Sequence, residues 1–223
     1  MPDVPRRGEI EDSLYNALSG AMLSQYARLR RMWRDNPNLD DLDLDYWETV
    51  SSELRQVLDP ALTRVYVDQG ALLQAELGIG VADWARYNAM AIEWVNRYNY
   101  DLVAGINSTT ERLIRSALDA FYRDGIPLDE VAEMLSAFGP VRARTIAITE
   151  ITRASVHGEL GLVNMLADEI PGLRWHTTWE TANDDRVCPI CAPLRGREVT
   201  TSTPPAHPNC RCWLNHAIME PSS

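Results

Sequence analysis

Two short runs constrain this chain more than anything else in it: Cys-Pro-Ile-Cys at 188–191 and His-Pro-Asn-Cys-Arg-Cys at 207–212. Two cysteines separated by two residues can turn both sulfurs onto one tetrahedral ion. The second run offers His207, Cys210 and Cys212 within six residues, and fifteen residues separate the two runs, a gap common in zinc modules. Five donors, Cys188, Cys191, His207, Cys210 and Cys212, thus compete for four places on one structural zinc ion. Extended backbone from Cys210 to Cys212 puts both sulfurs on one side, and all four cysteines then bind without His207. A turn there makes His207 and Cys210 the second pair instead. Both ligand sets remain open at the level of sequence.

The residues around these runs change texture. Leu173 to Trp179 alternates and is rich in aromatic and β-branched side chains, as a strand requires. Arg197 to Thr201 and Trp213 to Ile218 are expected as further short strands, separated by the proline-rich loop Thr203-Pro-Pro-Ala-His-Pro208. So short a segment has little core of its own, and a metal supplies what burial does not. A disulfide framework is the competing use of four cysteines. The N-terminal Met-Pro-Asp-Val-Pro-Arg-Arg-Gly-Glu lacks the apolar stretch of a secretory signal, so the protein is expected to stay in the cytoplasm, where thiols remain reduced. A redox role for Cys188 and Cys191 needs a helix directly after them, and none is expected. His176, Glu180, Asp184 and Asp185 suggest a metal-dependent nuclease or toxin-like enzyme as an alternative. A catalytic zinc keeps an open position, whereas a surplus of protein ligands describes a closed one. His157 and His216 fall in helix- and strand-like patterns and are expected as packing or surface residues.

Upstream the period is helical. Leu14, Leu18, Met22, Tyr26, Leu29 and Trp33 recur at three- and four-residue steps from Glu9 to Arg34. An acidic loop at 35–45 precedes a helix from Tyr46 to Leu58, where Asp59-Pro60 is expected to stop it and cap a restart. Gly78-Ile-Gly80 is a further break, and Asp83 caps a helix whose Trp84, Tyr87, Ala91, Trp94, Val95 and Tyr98 form an aromatic face, expected as core rather than partner surface. Asn107-Ser-Thr-Thr-Glu111 reads as a new cap. Gly125-Ile-Pro127 and Gly139-Pro140 read as two more breaks, and Pro171-Gly172 ends a long helix from Val141. Gly158 and Gly161 inside that helix are tolerable. The fold class is mainly α: helical N-terminal and central regions followed by a small β-rich, zinc-stapled C-terminal module.

The formal charge of -11 argues against a chain whose task is to coat nucleic acid, since phosphate neutralisation needs a basic face. A DNA-binding module remains the third functional class to weigh. The apolar runs are far shorter than the roughly 18 residues of a membrane span, so no membrane association is expected.

Read together, the features from about Asn107 onward resemble the phage head morphogenesis family, the minor head proteins similar to bacteriophage Mu protein F. The resemblance is carried by Asp124-Gly-Ile-Pro-Leu-Asp129, then Arg142-Ala-Arg-Thr-Ile-Ala-Ile-Thr-Glu150-Ile-Thr-Arg-Ala154. Trp179 through Cys191, Leu194-Arg-Gly196 and Pro204-Pro-Ala-His-Pro-Asn-Cys-Arg-Cys212 complete it. Many relatives carry arginine where this chain has Ile148. The resemblance divides the chain into an N-terminal helical region, 1–106, a helical part of the head-morphogenesis domain, 107–170, and the Cys/His module, 171–223. It implies a non-enzymatic virion component acting in procapsid assembly at the portal vertex. The implied partners are the portal protein, capsid or scaffold proteins, and packaged DNA. Arg142, Arg144 and Arg153 offer a patch for the last, against the alternative that they pair with Glu150 and Glu159 on a solvated face. Residues 1–106 match no motif, and their aromatic helix suggests a portal-binding part.

Overall fold

The computed structural model describes residues 4–33, 36–79, 83–182 and 187–219. Four long helices come first: α1, Arg7–Trp33; α2, Leu44–Leu77; α3, Trp84–Asp124; and α4, Leu128–Glu169. Two strands follow, β1, Arg174–Glu180, and β2, Trp213–Met219, paired antiparallel with Thr177 opposite His216 and Trp179 opposite Leu214. The chain divides into two compact units, one made of Met1–Glu11, Ala61–Val95 and Ile148–Ser223, the other of Asp12–Pro60 and Asn96–Ala147. Each helix contributes residues to both.

In the second unit the expected stripe of α1 is buried: Leu14, Leu18, Met22, Tyr26, Leu29 and Trp33 all lie inside. Asp43 caps α2, its Oδ1 accepting the Tyr46 amide at 2.8 Å. The expected stop at Asp59-Pro60 does not occur, for α2 runs through Pro60. Val50, Leu54, Leu58 and Leu62 continue one buried row past it, and the Asp59 carboxylate accepts Asn99 Nδ2 at 2.6 Å rather than capping a helix. Burial of that row outweighs the hydrogen bond that proline removes. The cap read at Asn107 is likewise absent. Asn107 Nδ2 donates to Ser51 Oγ at 2.8 Å, while Thr109 and Thr110 donate to the carbonyls of Gly105 and Ile106 one turn back. The Asn107 amide nitrogen and both threonine hydroxyls find acceptors without breaking α3, so position 106/107 lies inside a helix.

Gly125 does end a helix, at φ 69°, and α4 starts directly after Pro127. Gly139-Pro140 does not: α4 continues through it. Gly139 has no side chain because Tyr26 packs there; a Cβ would meet the Tyr26 ring at 3.2 Å. Arg142 reaches from α4 to the Ile106 carbonyl and Thr110 hydroxyl of α3, both at 3.1 Å.

In the first unit, Tyr66, Leu73, Tyr87, Ala91, Leu162, Val163, Met165 and Leu166 form one buried cluster. Tyr87, Ala91 and Val95 are fully inside, with Trp84 and Trp94 packed against the cluster, so the aromatic face of α3 is core as expected. Gly78, at φ 63°, ends α2 and the Asp83 Oδ1 accepts the Arg86 amide at 3.0 Å to start α3; Gly80 lies outside the described residues. The third strand expected at 197–201 is reduced to one bridge, Thr178 with Glu198. The sheet has two strands, and the C-terminal module is less β-rich than its alternating sequence suggests.

Candidate metal centre

Two tight turns bring the five donors together. At the first, the Cys188 carbonyl accepts the amides of Cys191 at 3.1 Å and Ala192 at 3.0 Å, with Pro189 fixing the entry dihedral. At the second, the Cys210 amide donates to the His207 carbonyl at 3.2 Å. Pro208 supplies the fixed φ of the first central position and Asn209, at φ 63°, the left-handed conformation of the next. His207-Pro-Asn-Cys210 is thus a turn, a conformation the sequence alone had left open.

His207 Nε2 lies 3.0 Å from Cys188 Sγ and 3.1 Å from Cys191 Sγ, and Cys191 Sγ lies 3.7 Å from Cys210 Sγ. The donors form two overlapping trios, Cys188–Cys191–His207 and Cys191–Cys210–Cys212, which share Cys191. All four cysteines are free thiols. The Nδ1 of His207 is 2.7 Å from the Pro208 carbonyl, which can only accept, so Nδ1 carries the proton and Nε2 faces the sulfurs.

The donor set fits zinc. Bonds of 2.3 Å in a tetrahedron place two sulfurs about 3.8 Å apart, close to the Cys191–Cys210 separation. The amide of Cys191, above all, pulls the Cys188 thiol below its ordinary pKa, aided by His207. A hydrogen bond from Cys212 brings Cys210 down to about 5. Burial pushes Cys191 up to about 12, and the Cys210 contact raises Cys212 as well. Two thiols thus favour the thiolate that a metal needs, and two need the metal to ionise.

The module is held by α4. The Asn209 amide donates to Thr149 Oγ1 at 2.9 Å, and Thr152 Oγ1 donates to the Cys210 carbonyl at 2.6 Å. This gives the Thr149-Glu150 segment a structural part, while Ile148 beside it is buried. The Glu150 carboxylate pairs with Arg153 at 3.2 Å as expected, but it is buried rather than on a solvated face. Glu159 does not lie on a solvated face: it is buried, with Gln69 Nε2 at 2.7 Å from its Oε1 and His216 Nε2 at 3.4 Å from its Oε2. Arg144 pairs with Asp12 and lies over the Tyr15 ring. The three arginines weighed as a DNA patch therefore each have protein partners.

Beside the sulfurs opens a concavity of about 600 Å³, walled by all five donors and by Arg7, Glu11 and Arg211. Glu180 instead takes a hydrogen bond from Thr178 at 3.1 Å, and His176 lies 3.7 Å from Glu198. Among the described residues no carboxylate joins the sulfur and imidazole donors; Asp184 and Asp185 lie outside those residues. Sequence reasoning missed Arg7, Glu11 and Thr152. Arg7 and Glu11 lie close to two hundred residues from the module, in a helix whose pattern signals only its apolar face.

No curated protein and no solved structure matches the chain. The model of the family described as Phage Mu protein F like protein matches residues 114–215. That stretch, which holds α4, both strands to Asn215 and the whole Cys/His cluster, is similar to the phage Mu protein F like family.

Proposed function

We propose that this protein is a non-enzymatic minor head protein of a bacteriophage, acting in procapsid assembly and head morphogenesis at the portal vertex. The observation that carries this reading is the family match over 114–215, which encloses the metal-ligand cluster and the helix face that anchors it. Its partners are the portal protein and neighbouring capsid or scaffold proteins, and its place is the virion head. The Cys/His cluster holds one structural zinc ion, its four ligands drawn from the two overlapping trios that share Cys191, and four protein ligands leave no open position for a water nucleophile. No helix among the described residues is long and apolar enough to cross a membrane.

Two measurements test this. Elemental mass spectrometry on the full chain purified from cytoplasm should find about one zinc per molecule; a ratio near zero removes the metal from the proposal. Coexpression with the portal protein of the same phage should give a complex that elutes as one species. Separate elution rules out the portal as a direct partner.

A further inference from the structure

The base of the metal-binding loop is tied to the first turn of α1 by a ring of polar contacts that the metal reading does not itself require. Arg211, between Cys210 and Cys212, grips Glu11 with both ends of its guanidinium, Nε at 3.0 Å and Nη2 at 2.6 Å. Glu11 is 1% exposed, so this carboxylate is removed from water and depends on its partners. Arg7 Nη1 lies 3.7 Å from the same carboxylate and donates to Thr152 Oγ1 at 2.8 Å. Thr152 Oγ1 in turn donates to the Cys210 carbonyl at 2.6 Å. The circuit closes through the Cys210–Arg211 peptide.

We propose that Arg7, Glu11, Thr152 and Arg211 are positioning residues of the metal centre, so that the first turn of α1 is part of that centre although it supplies no ligand. The proposal rests on the zinc reading above. One of the four, Thr152, bonds the backbone of the Cys210 turn directly, and Glu11 anchors the side chain of Arg211 next to it; backbone placement there decides where both the Cys210 and Cys212 sulfurs point. Charge supports the same assignment. Two guanidiniums around one carboxylate leave a net positive charge, beside a cluster that carries about -1 with three thiolates and one imidazole on zinc, or about -2 with four thiolates. Groups that orient first-sphere ligands are worth about 10- to 100-fold in metal affinity.

The test uses the full chain and two readouts. Zinc affinity is measured by competition with a chromophoric chelator for Glu11→Gln, Arg211→Ala and Arg211→Lys. Glu11→Gln and Arg211→Ala are expected to weaken binding about 10- to 100-fold, with Arg211→Lys recovering part of the loss. Amide hydrogen exchange is then compared between zinc-loaded and chelated unsubstituted protein. Residues 4–11 are expected to exchange faster after chelation. Parent-like affinity in the first two variants, or exchange at 4–11 indifferent to zinc, overturns the proposal. Should Glu11→Gln fail to fold, Arg211→Ala, half exposed at the side chain, and the exchange comparison still decide it. A zinc-free parent protein overturns the metal reading and this inference together. A loaded parent with indifferent variants overturns the inference alone.

Discussion

His157 sits on α4 with its ring stacked on Trp94, centroids 4.8 Å apart. Burial, reinforced by Arg153, pushes its pKa down to about 4. The unfolded chain takes up this proton near pH 6.5 and the folded protein only near 4, so the unfolded state binds more protons across that interval. The stability owed to the neutral ring is complete above pH 6.5 and is lost as pH falls toward about 4. Urea unfolding followed from pH 7 to 4 should show this loss, and His157→Phe, which keeps a stacking ring, should reduce it. Equal pH dependence in parent and variant contradicts the assignment. The expectation of a packing histidine holds here, but its partner was out of reach: Trp94 and His157 lie on different helices, and periodicity places each on a face without saying which faces meet.

Among the elements, the contact of α2 with α4 in the first unit is made by absences. A Cβ on Gly158 would stand 2.3 Å from the Tyr66 carbonyl oxygen, and one on Gly161 would stand 2.0 Å from the Tyr66 hydroxyl. The Tyr87 hydroxyl sits 2.7 Å from the Gly158 carbonyl and 3.0 Å from that of Tyr66, a single donor shared between two helices. Its burial raises the phenol well above its ordinary pKa, so it stays a donor at every physiological pH. Gly158→Ala should destabilise by about 1–3 kcal/mol in equilibrium urea unfolding, because main chain cannot rotate out of the way. A variant as stable as the parent refutes the close-approach account. The glycines were legible as tolerable within a helix, but not as required by it. The same limit explains Asp59-Pro60, Asn107 and Gly139-Pro140, each read as punctuation from local chemistry. Their neighbours in space, Asn99, Ser51 and Tyr26, kept the helices going. The stripe of α1 and the turn between Cys188 and Cys191 were legible because spacing alone decides them, whereas spacing left the backbone of the second run, turn or extended, open.

For the whole molecule, the two units do not follow the order of the chain. The unit that carries the candidate metal centre takes Tyr66, Leu73, Tyr87 and Ala91 of its core from residues upstream of 107. The family match begins at 114, within α3. A fragment of residues 107–223 should therefore lack a cooperative thermal transition by circular dichroism, even with zinc added. A sharp, reversible transition like that of the full chain shows that the upstream residues are dispensable. The cluster of cysteines and histidine was legible in sequence as a self-contained module, whereas its support was not, because contacts between distant positions leave no local period.

The pairing of Glu11 with Arg211 also orders events during synthesis. Two hundred residues separate them. At about 5–20 residues per second, about 10–40 s pass between the emergence of the carboxylate and that of its partner. Throughout that interval Glu11 is hydrated, since a buried charge without its partner is too costly to hold. The first turn of α1 is thus made 200 residues ahead of the partner that lets its carboxylate leave water.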